Sequence, residues 1–566
     1  MSDRHLAFWP PQQPRHLTLP HTSLYYNAAV SAARYPDKPF LVFYGGVVTF
    51  SRFHEEVLRL AGYLQQRCGV QRGDRVLLDL QNSPQAAIAY YAILRADAVV
   101  VPVNPMNLTH ELRHYVSDTG ATTAFVAQDL YERMQPLLHE GLQHLIVVSY
   151  SDYLDASAAT DPDGAAQVVP DFIRAPRRQF DDLGSVAWHV ALAAGLQPGP
   201  PTTGPDDLCV MPYTSGTTGH PKGCMHTHRS AMYNTVAGVQ WFGTVADTVM
   251  LAALPFFHVT GMQGGLNGPL YAGATVILLP RWDRDAAARA IVHYRVNSLH
   301  LITTMVIDFL ANPMLTDYDL GSVTGIRGGG ASMPEAVAQK LQDTLGLSYV
   351  EGYGMSETIA PTHLNPVHRP KQQCLGMPIH DVDARVVDPV TLVELGPEEV
   401  GEIIVAGPQV MRGYWNDAKA TQEAFVEIDG KRFLRTGDLG RVDLDGYFFM
   451  VDRLKRMINA AGFKVWPAEV EAIMYRHPAI NEVCIIAEHD ARRGETVKAV
   501  VVLHAAFRDT VSAQDIVDWS RAHMAAYKSP RSVAIVESLP KSGAGKVQWR
   551  QLQEQFGQPD ECNKGE

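Results

Sequence analysis

Two rhythms of apolar and polar positions divide the chain. Over residues 61–127, short apolar runs alternate with longer segments whose apolar positions recur every three or four residues. Residues 75–80 (RVLLDL), 98–103 (AVVVPV) and 123–127 (TAFVA) read as strands, and 61–67, 83–96 and 108–119 as helices. Strands that stay apolar on successive residues, with helices between them, predict parallel sheets covered on both faces. The rhythm returns at 248–254, 274–279 and 298–303. From about residue 380 it changes: DVDARVVD, GEIIVAG and GYFFMVD predict short strands with Gly-centred turns, a small β-rich subdomain. Beyond 455, a helix over 467–475, strands over 483–487 and 498–503 and a helix over 513–524 predict a compact α/β unit. Residues 1–24, rich in Pro and His, read as an irregular arm. Residues 155–206, with DPDG and QPGPPTTGPDD, read as a surface excursion.

Composition narrows the function classes. At 46% apolar and 19% charged residues, the 566-residue chain has a globular balance and is not a disordered polymer. Its net charge of −12 gives no general nucleic-acid footprint. Any polyanionic ligand must therefore be held by a local site, which screening over about 8 Å permits. Cys68, Cys209, Cys224, Cys374, Cys484 and Cys562 stand far apart, which reads as free thiols in a reducing compartment. The most apolar stretch, 86–103, is interrupted by Arg95 and Asp97, so no membrane span is expected. The N-terminus lacks the plan of a signal peptide. The expectation is a cytoplasmic protein, with peripheral membrane contact and a homodimer left open.

The candidate chemistry begins after a predicted strand at 207–214. Ser215-Gly216-Thr217-Thr218-Gly219-His220-Pro221-Lys222-Gly223 follows, and 226–241 has helical spacing. Glycines let backbone N–H groups approach phosphate oxygens, while hydroxyls and a lysine add donors and charge. It is not a Walker loop, because its lysine follows His-Pro. His226 and His228 suggest no metal pair, since no third ligand cluster lies nearby.

The run Tyr213 to Gly223 resembles the phosphate loop of the adenylate-forming superfamily: acyl-CoA synthetases, adenylation domains and firefly-type luciferases. Six further segments resemble that family in order. Pro255 to Gly261 (PFFHVTG) resembles its aromatic segment beside the acyl tunnel, and Gly328 to Ser332 (GGGAS) its adenine loop. Glu351 to Thr358 (EGYGMSET) resembles its nucleotide and magnesium segment, and Arg435 to Asp438 (RTGD) its ribose aspartate. Asp452 to Ile458 (DRLKRMI), continued by Ala461 to Glu471, resembles its hinge. Pro540 to Lys546 (PKSGAGK) resembles its catalytic-lysine loop, where Ala544 stands in place of the more usual Ser or Thr.

The resemblance implies a fold and a set of roles. The fold is α/β: a large N-terminal body of two sheet-and-helix layers with a small β-rich subdomain, and a small mobile α+β C-terminal domain. The implied boundaries are 1–452, a hinge at 453–457 pivoting on Lys455, and 458–566. ATP would be held by Thr214, Ser215, Gly216, Thr217, Thr218, Gly219, Lys222, Gly330, Ala331, Ser332, Glu351, Gly352, Tyr353, Gly354, Met355, Ser356, Asp438, Arg453 and Lys546. Glu357 and Thr217 would support Mg²⁺, and Lys546, Glu357, Thr217 and Lys222 would carry the chemistry. His258, Val259, Gly261, Met262, Thr304, Met305 and Gly330 would line the acyl pocket; His258, Gly462, Phe463 and Lys464 would line the CoA tunnel. The implied reaction is ATP-dependent ligation of a carboxylic acid to CoA, with a medium- to long-chain fatty acid the expected substrate. An aryl or short functionalised acid, such as a methylthio acid, is the alternative within the class. A non-catalytic nucleotide-binding protein and a luciferase-type oxygenase are the readings from outside it.

Overall fold

The computed structural model describes residues 3–11, 13–155, 168–214, 221–460, 463–490, 494–541 and 547–558, with backbone only at Asp3, Lys455, Asn459, Phe463, Lys464 and Gly494. The chain forms two compact units: Met1–Ala384 with Val405–Leu434 and Asp445–Tyr447, and Arg385–Ile404 with Arg435–Leu444 and Phe448–Glu566.

Two large sheets build the first unit. Nine strands run in the spatial order Met377–Pro378, Ala360–Leu364, Tyr349–Met355, Gly325–Gly329, Ser298–His300, Val249–Ala252, Thr275–Leu278, Pro39–Phe43 and Gly46–Thr49. The strands from Tyr349–Met355 to Pro39–Phe43 are parallel, and antiparallel partners close both edges. Seven strands form the other sheet, in the order His226–Thr227, Leu208–Val210, Val99–Pro102, Arg75–Asp79, Thr123–Ala127, His144–Val148 and Ser185–Ala187. All but the first are parallel.

Helix Pro84–Arg95 explains how the sheets share one core. Ser83 caps it by accepting from Ala86 N at 3.1 Å, and Pro84 occupies its first turn. All twelve of its residues are buried, and it touches strands of both sheets. A helix with no solvent face must be apolar all round, as AAIAYYAIL is. The apolar stretch at 86–103 is therefore this helix plus strand Val99–Pro102; among the described residues no helix is long and apolar enough to cross a membrane. Helices Arg284–Tyr294, Thr303–Leu310 and Glu335–Leu345 cover the outer face of the nine-stranded sheet through Leu251, Ile277, Leu299 and Ile326.

In the second unit, strands Phe463–Val465, Ile458–Ala460, Gly494–Leu503 and Ile480–Asp490 are neighbours in that order, and Ser532–Ile535 also pairs with Gly494–Leu503. Period-two alternation sorts its side chains. Val483, Ile485, Val497, Ala499 and Val501 pack with helices Pro467–Met474 and Ala513–His523, while Cys484, Ile486, Val500 and Val502 pack with helix Trp549–Phe556.

Three segments differ from the sequence expectation. The helix expected at 61–67 begins at Phe50, where Thr49 accepts from Arg52 N at 3.2 Å. His226 and Thr227 are a short strand, and the helix expected from 226 is His228–Phe242, with Thr227 as its cap. The excursion at 155–206 carries strand Ser185–Ala187 and the buried Trp188. The five described cysteines are all buried and free.

The end of that excursion is tied to the sheets by a single carboxylate. Buried Asp97 accepts from Thr202 N at 2.8 Å, Thr202 Oγ1 at 2.7 Å, Thr203 N at 3.3 Å and Thr203 Oγ1 at 2.9 Å. Its φ of 61° also suits Asp or Asn better than a larger side chain. Asp97→Ala is expected to cost about 3 kcal/mol in thermal unfolding, since charged hydrogen bonds are lost and donors orphaned. The same change is expected to open residues near 202 to protease, and Asp97→Asn is expected to lose less on both measures.

Candidate active site

The candidate segments follow the carboxyl ends of parallel strands, where α/β sheets present their ligand sites. Strand Leu208–Val210 leads toward 215–220, Val249–Ala252 to Pro255, Ser298–His300 to Thr303, Gly325–Gly329 to Gly330, and Tyr349–Met355 to Ser356 and Glu357. Ser215, Gly216, Thr217, Thr218, Gly219, Gly462 and Lys546 lie outside the described residues.

Lys222 and Glu357 meet through a residue that sequence reasoning missed. Thr214 is the Cα register partner of Lys222 in a two-stranded antiparallel ladder. Lys222 Nζ lies 3.0 Å from Asp417 Oδ2 and 5.4 Å from the centre of the Tyr414 ring. Tyr414 Oη donates to Glu357 Oε1 at 2.9 Å. Backbone bonds fix this contact: Met225 N donates to Gly413 O at 3.0 Å, Trp415 N to Gly223 O at 2.8 Å and Met411 N to Glu357 O at 2.8 Å. Burial and the Glu357 charge push the Tyr414 phenol up, which keeps it a donor. Nothing marks Tyr414 in the sequence, because it sits in an aperiodic turn, MRGYWND.

His226 and His228 are structural. Both are buried, and burial lowers each imidazole to about 4. His226 Nε2 lies 2.7 Å from Ser356 O, and His228 Nδ1 accepts from Leu24 N at 3.0 Å.

The GGGAS and EGYGMSE segments are brought side by side. Gly328 is the register partner of Glu351, and Gly329 of Gly352. Gly330, with φ of 88°, and Ala331 and Ser332 are exposed, and Thr303 Oγ1 donates to Ala331 O at 3.0 Å. Tyr353 is half-buried, its ring 5.6 Å from that of His363, and Gly354 is exposed. A Cβ at Gly352 would press on the Leu364 side chain, and one at Gly354 would overlap the Ala360 backbone. Met355 and Ser356 complete the turn into Glu357. Glu351 is buried and accepts from Gln373 N at 3.0 Å, and burial raises its carboxyl to about 7.

The aromatic segment is clamped by Asn82, another residue without a sequence signal. Its Oδ1 accepts from Phe256 N at 2.8 Å and its Nδ2 donates to Leu254 O at 2.9 Å. His258 is half-buried and caps helix Val259–Gly261, which runs into a π-helical turn, Met262–Asn267. Such turns are frequent at functional sites. A side chain at Gly261 would overlap the Pro255 carbonyl. Val259 and Met262 are fully buried, Met305 is half-buried and Thr304 is exposed.

In the second unit, Asp438 and Arg453 are register partners on adjacent strands, with Arg453 Nε 3.0 Å from buried Asp438 Oδ1, a distance for an ion pair. Lys455 lies in the 3₁₀ turn Leu454–Arg456. The turn is anchored on both sides: Asp452 accepts from Ala468 N at 2.7 Å, and Arg456 bonds Glu471. Phe463 and Lys464 pair by backbone with Ala460 and Asn459.

The chain matches the AMP-binding enzyme family over residues 28–415 and the AMP-binding enzyme C-terminal domain over 469–546. It belongs to the AMP-binding enzyme family. It is 35% identical over 565 residues to the long-chain-fatty-acid–CoA ligase of Bacillus subtilis, with 97% of each chain covered. It is 34% identical over 532 residues to a feruloyl-CoA synthase of an Amycolatopsis species, covering 93% of this chain and 98% of that one. The crystal structure of ATP-bound MatB from Rhodopseudomonas palustris matches it with a TM-score of 0.82 at 27% identity, over 95% of this chain and 99% of that one. The chain is thus an adenylate-forming enzyme of the acyl-CoA synthetase class.

Glu351 gives this site a pH signature. Its carboxyl titrates near 7 when folded, against an ordinary 4.5, so the folded state holds a proton that the unfolded state has released. Stability therefore falls as pH rises from 4.5 to about 7. Glu351→Gln is expected to raise stability at pH 8 by up to about 3 kcal/mol, with little effect at pH 4. Thermal melts of both proteins across pH 4–8 check the sign; a constant offset would contradict it.

Proposed function

We propose that this acyl-CoA synthetase activates a medium- to long-chain fatty acid. The observation that carries this is the near-full-length match to a long-chain-fatty-acid–CoA ligase. A feruloyl-CoA synthase at nearly the same identity supports an aryl acid as the second reading.

The first step is attack of the acid's carboxylate oxygen on the α-phosphate of ATP, with pyrophosphate leaving. A carboxylate is a poor electrophile, and the mixed anhydride with AMP supplies a good leaving group. Positioning and charge stabilisation carry this step. Thr214 to Gly219 and Lys222 cradle the phosphates, and Gly330 to Ser332 with Glu351 to Ser356 bind the adenosine. Asp438 accepts from the ribose hydroxyls, with Arg453 beside it, and Lys546 neutralises charge between carboxylate and α-phosphate.

Mg²⁺ is part of the proposal. A magnesium ion takes one or two carboxylates and completes its shell with phosphate oxygens and water. Buried Glu357 suits that donor set, and among the described residues no group of three or more His, Cys, Asp or Glu competes with it. Glu357, with Thr217, would hold the ion, which would neutralise phosphate charge. Tyr414 orients the Glu357 carboxylate.

In the second step the CoA thiol attacks the acyl carbonyl and AMP leaves. The 458–566 domain turns about Lys455 within the 453–457 hinge, withdrawing Lys546 and presenting Gly462, Phe463 and Lys464 with His258 to CoA. The acyl chain lies along His258, Val259, Gly261, Met262, Thr304, Met305 and Gly330.

Pyrophosphate release with Mg·ATP, measured over acids from acetate to palmitate plus ferulate and a methylthio acid, with and without CoA, tests the substrate. CoA-dependent turnover centred on C6–C16 acids is expected; a preference for ferulate would replace the long-chain reading with the aryl one. Lys546→Ala is expected to slow pyrophosphate release by roughly 10²–10³-fold, as when one preorganised donor is removed. Lys455→Pro is expected to retain adenylation and lose thioester formation; equal loss of both half-reactions would argue against a pivot there.

A further inference from the structure

One face of the nine-stranded sheet carries an arginine that the proposed mechanism does not use. Along strand Gly325–Gly329, Ile326 packs into the outer core. Alternation therefore turns Arg327 to the inner face, toward helix His228–Phe242. Its guanidinium lies 4.3 Å from the centre of the Phe242 ring, at the end of that helix. Among the described residues, no carboxylate lies within ion-pairing distance of it. The nearest in register, Glu351, belongs to the opposite face, because Val350 is the residue opposite Arg327.

The neighbours of Arg327 are a histidine and two glycines of facing elements. His300 is its register partner and shares its face. The imidazole lies against Gly264 of the π-helical turn, where any side chain would overlap the ring. His300 Nδ1 has no hydrogen-bond partner. One turn before Phe242, Gly238 faces open space, with nothing within 4 Å of where a Cβ would stand. Burial lowers Arg327 to about 10 and, with the Arg327 charge, lowers His300 to about 3, yet both side chains keep part of their surface accessible. Part of each group can therefore still be reached by a small molecule.

Arg327 and His300 adjoin the proposed acyl site. Arg327 stands three residues before Gly330, about 10 Å along a strand. Gly329, the next residue in that alternation, carries no side chain, and the Gly352 carbonyl stands where its Cβ would be. An uncompensated cation in an apolar wall opposes an alkyl terminus and favours an anion, since burying a charge is costly unless it is paired. A guanidinium also matches a carboxylate through two parallel hydrogen bonds.

We propose that Arg327 is a specificity-determining residue that binds a second carboxylate at the far end of the acyl chain, making an α,ω-dicarboxylic acid the preferred substrate. This rests on the acyl-CoA ligase reading above. His300, neutral beside Arg327, adds a hydrogen-bonding group, and Gly238 and Gly264 supply the room.

The test compares kcat/KM for decanoate with decanedioate, and hexadecanoate with hexadecanedioate, in the wild type and in Arg327→Met. The wild type is expected to favour one of the diacids over its monoacid by roughly 10²-fold, and Arg327→Met to lose or invert that preference. Removing an unpaired cation is also expected to leave the melting temperature of the ligand-free protein unchanged or higher. Gly238→Leu, which fills the open space at that position, is expected to slow that diacid much more than butanoate. Equal monoacid-to-diacid ratios in wild type and Arg327→Met would overturn the proposal and leave the ligase reading intact. Absence of turnover with every acid would reject the ligase reading. Calorimetric binding of the diacids then decides the proposal alone: weaker binding to Arg327→Met supports it, and equal binding overturns it.

Discussion

Burial of helix Pro84–Arg95 against strands of both large sheets is the constraint on which the first unit depends. The helix has no solvent face, so two sheets must cover it, and their strands must be parallel for short connections to keep helices between layers. Parallel strands end together. Loops following Val249–Ala252, Ser298–His300, Gly325–Gly329 and Tyr349–Met355 therefore emerge along one edge of a sheet. Residues about a hundred positions apart in sequence are thereby brought to one edge, where the proposed site lies. Asn82 and Asp97 show the converse: buried polar side chains whose role is to hold a loop, at Phe256 and Thr202, against this framework.

How much of this could be read from sequence follows the same physics. Strands 75–80 and 123–127 agree with the structure to within a residue, because strands buried on both faces write uninterrupted apolar runs. Helix Phe50–Gln66 was legible only in its last third, since Ser51, Arg52, His54, Glu55 and Glu56 give its first turns a broad polar face. Ser185–Ala187 and Trp188 were hidden by Pro- and Gly-rich flanks that look like loop. The site divides similarly. Motif residues with fixed spacing, such as Lys222, Glu357, Asp438 and Arg453, stood out. Tyr414 did not, because its partnership with Glu357 spans 57 positions and arises from the pairing of residues 223–225 with 413–415.

Net charge and local charge pull in opposite directions. A chain of net charge −12 that binds a polyphosphate cannot rely on its overall field. It needs backbone donors and a few cations held close. Lys222 is proposed as one, and the Asp417 carboxylate 3.0 Å away holds it and offsets part of its field. That pairing suits a site that must bind ATP and then release pyrophosphate, since an unpaired lysine there would hold the product more strongly.

Glu351 and Arg327 are two ionisable side chains of the nine-stranded sheet whose burial shifts them toward the neutral form. They sit on neighbouring strands and opposite faces, one raised to about 7 and the other lowered to about 10, each mainly by desolvation. Apolar residues at both positions would give a more stable sheet, since replacing a buried charge with a well-packed apolar group is commonly neutral or stabilising. The large shared core can carry that cost. Glu351 lies beside the exposed Gly330–Ser332 turn, and Arg327 lies behind it on the inner face. The strain of burying charge is thus concentrated around the segment where nucleotide and acyl chain are proposed to meet, as expected when stability is given up for recognition.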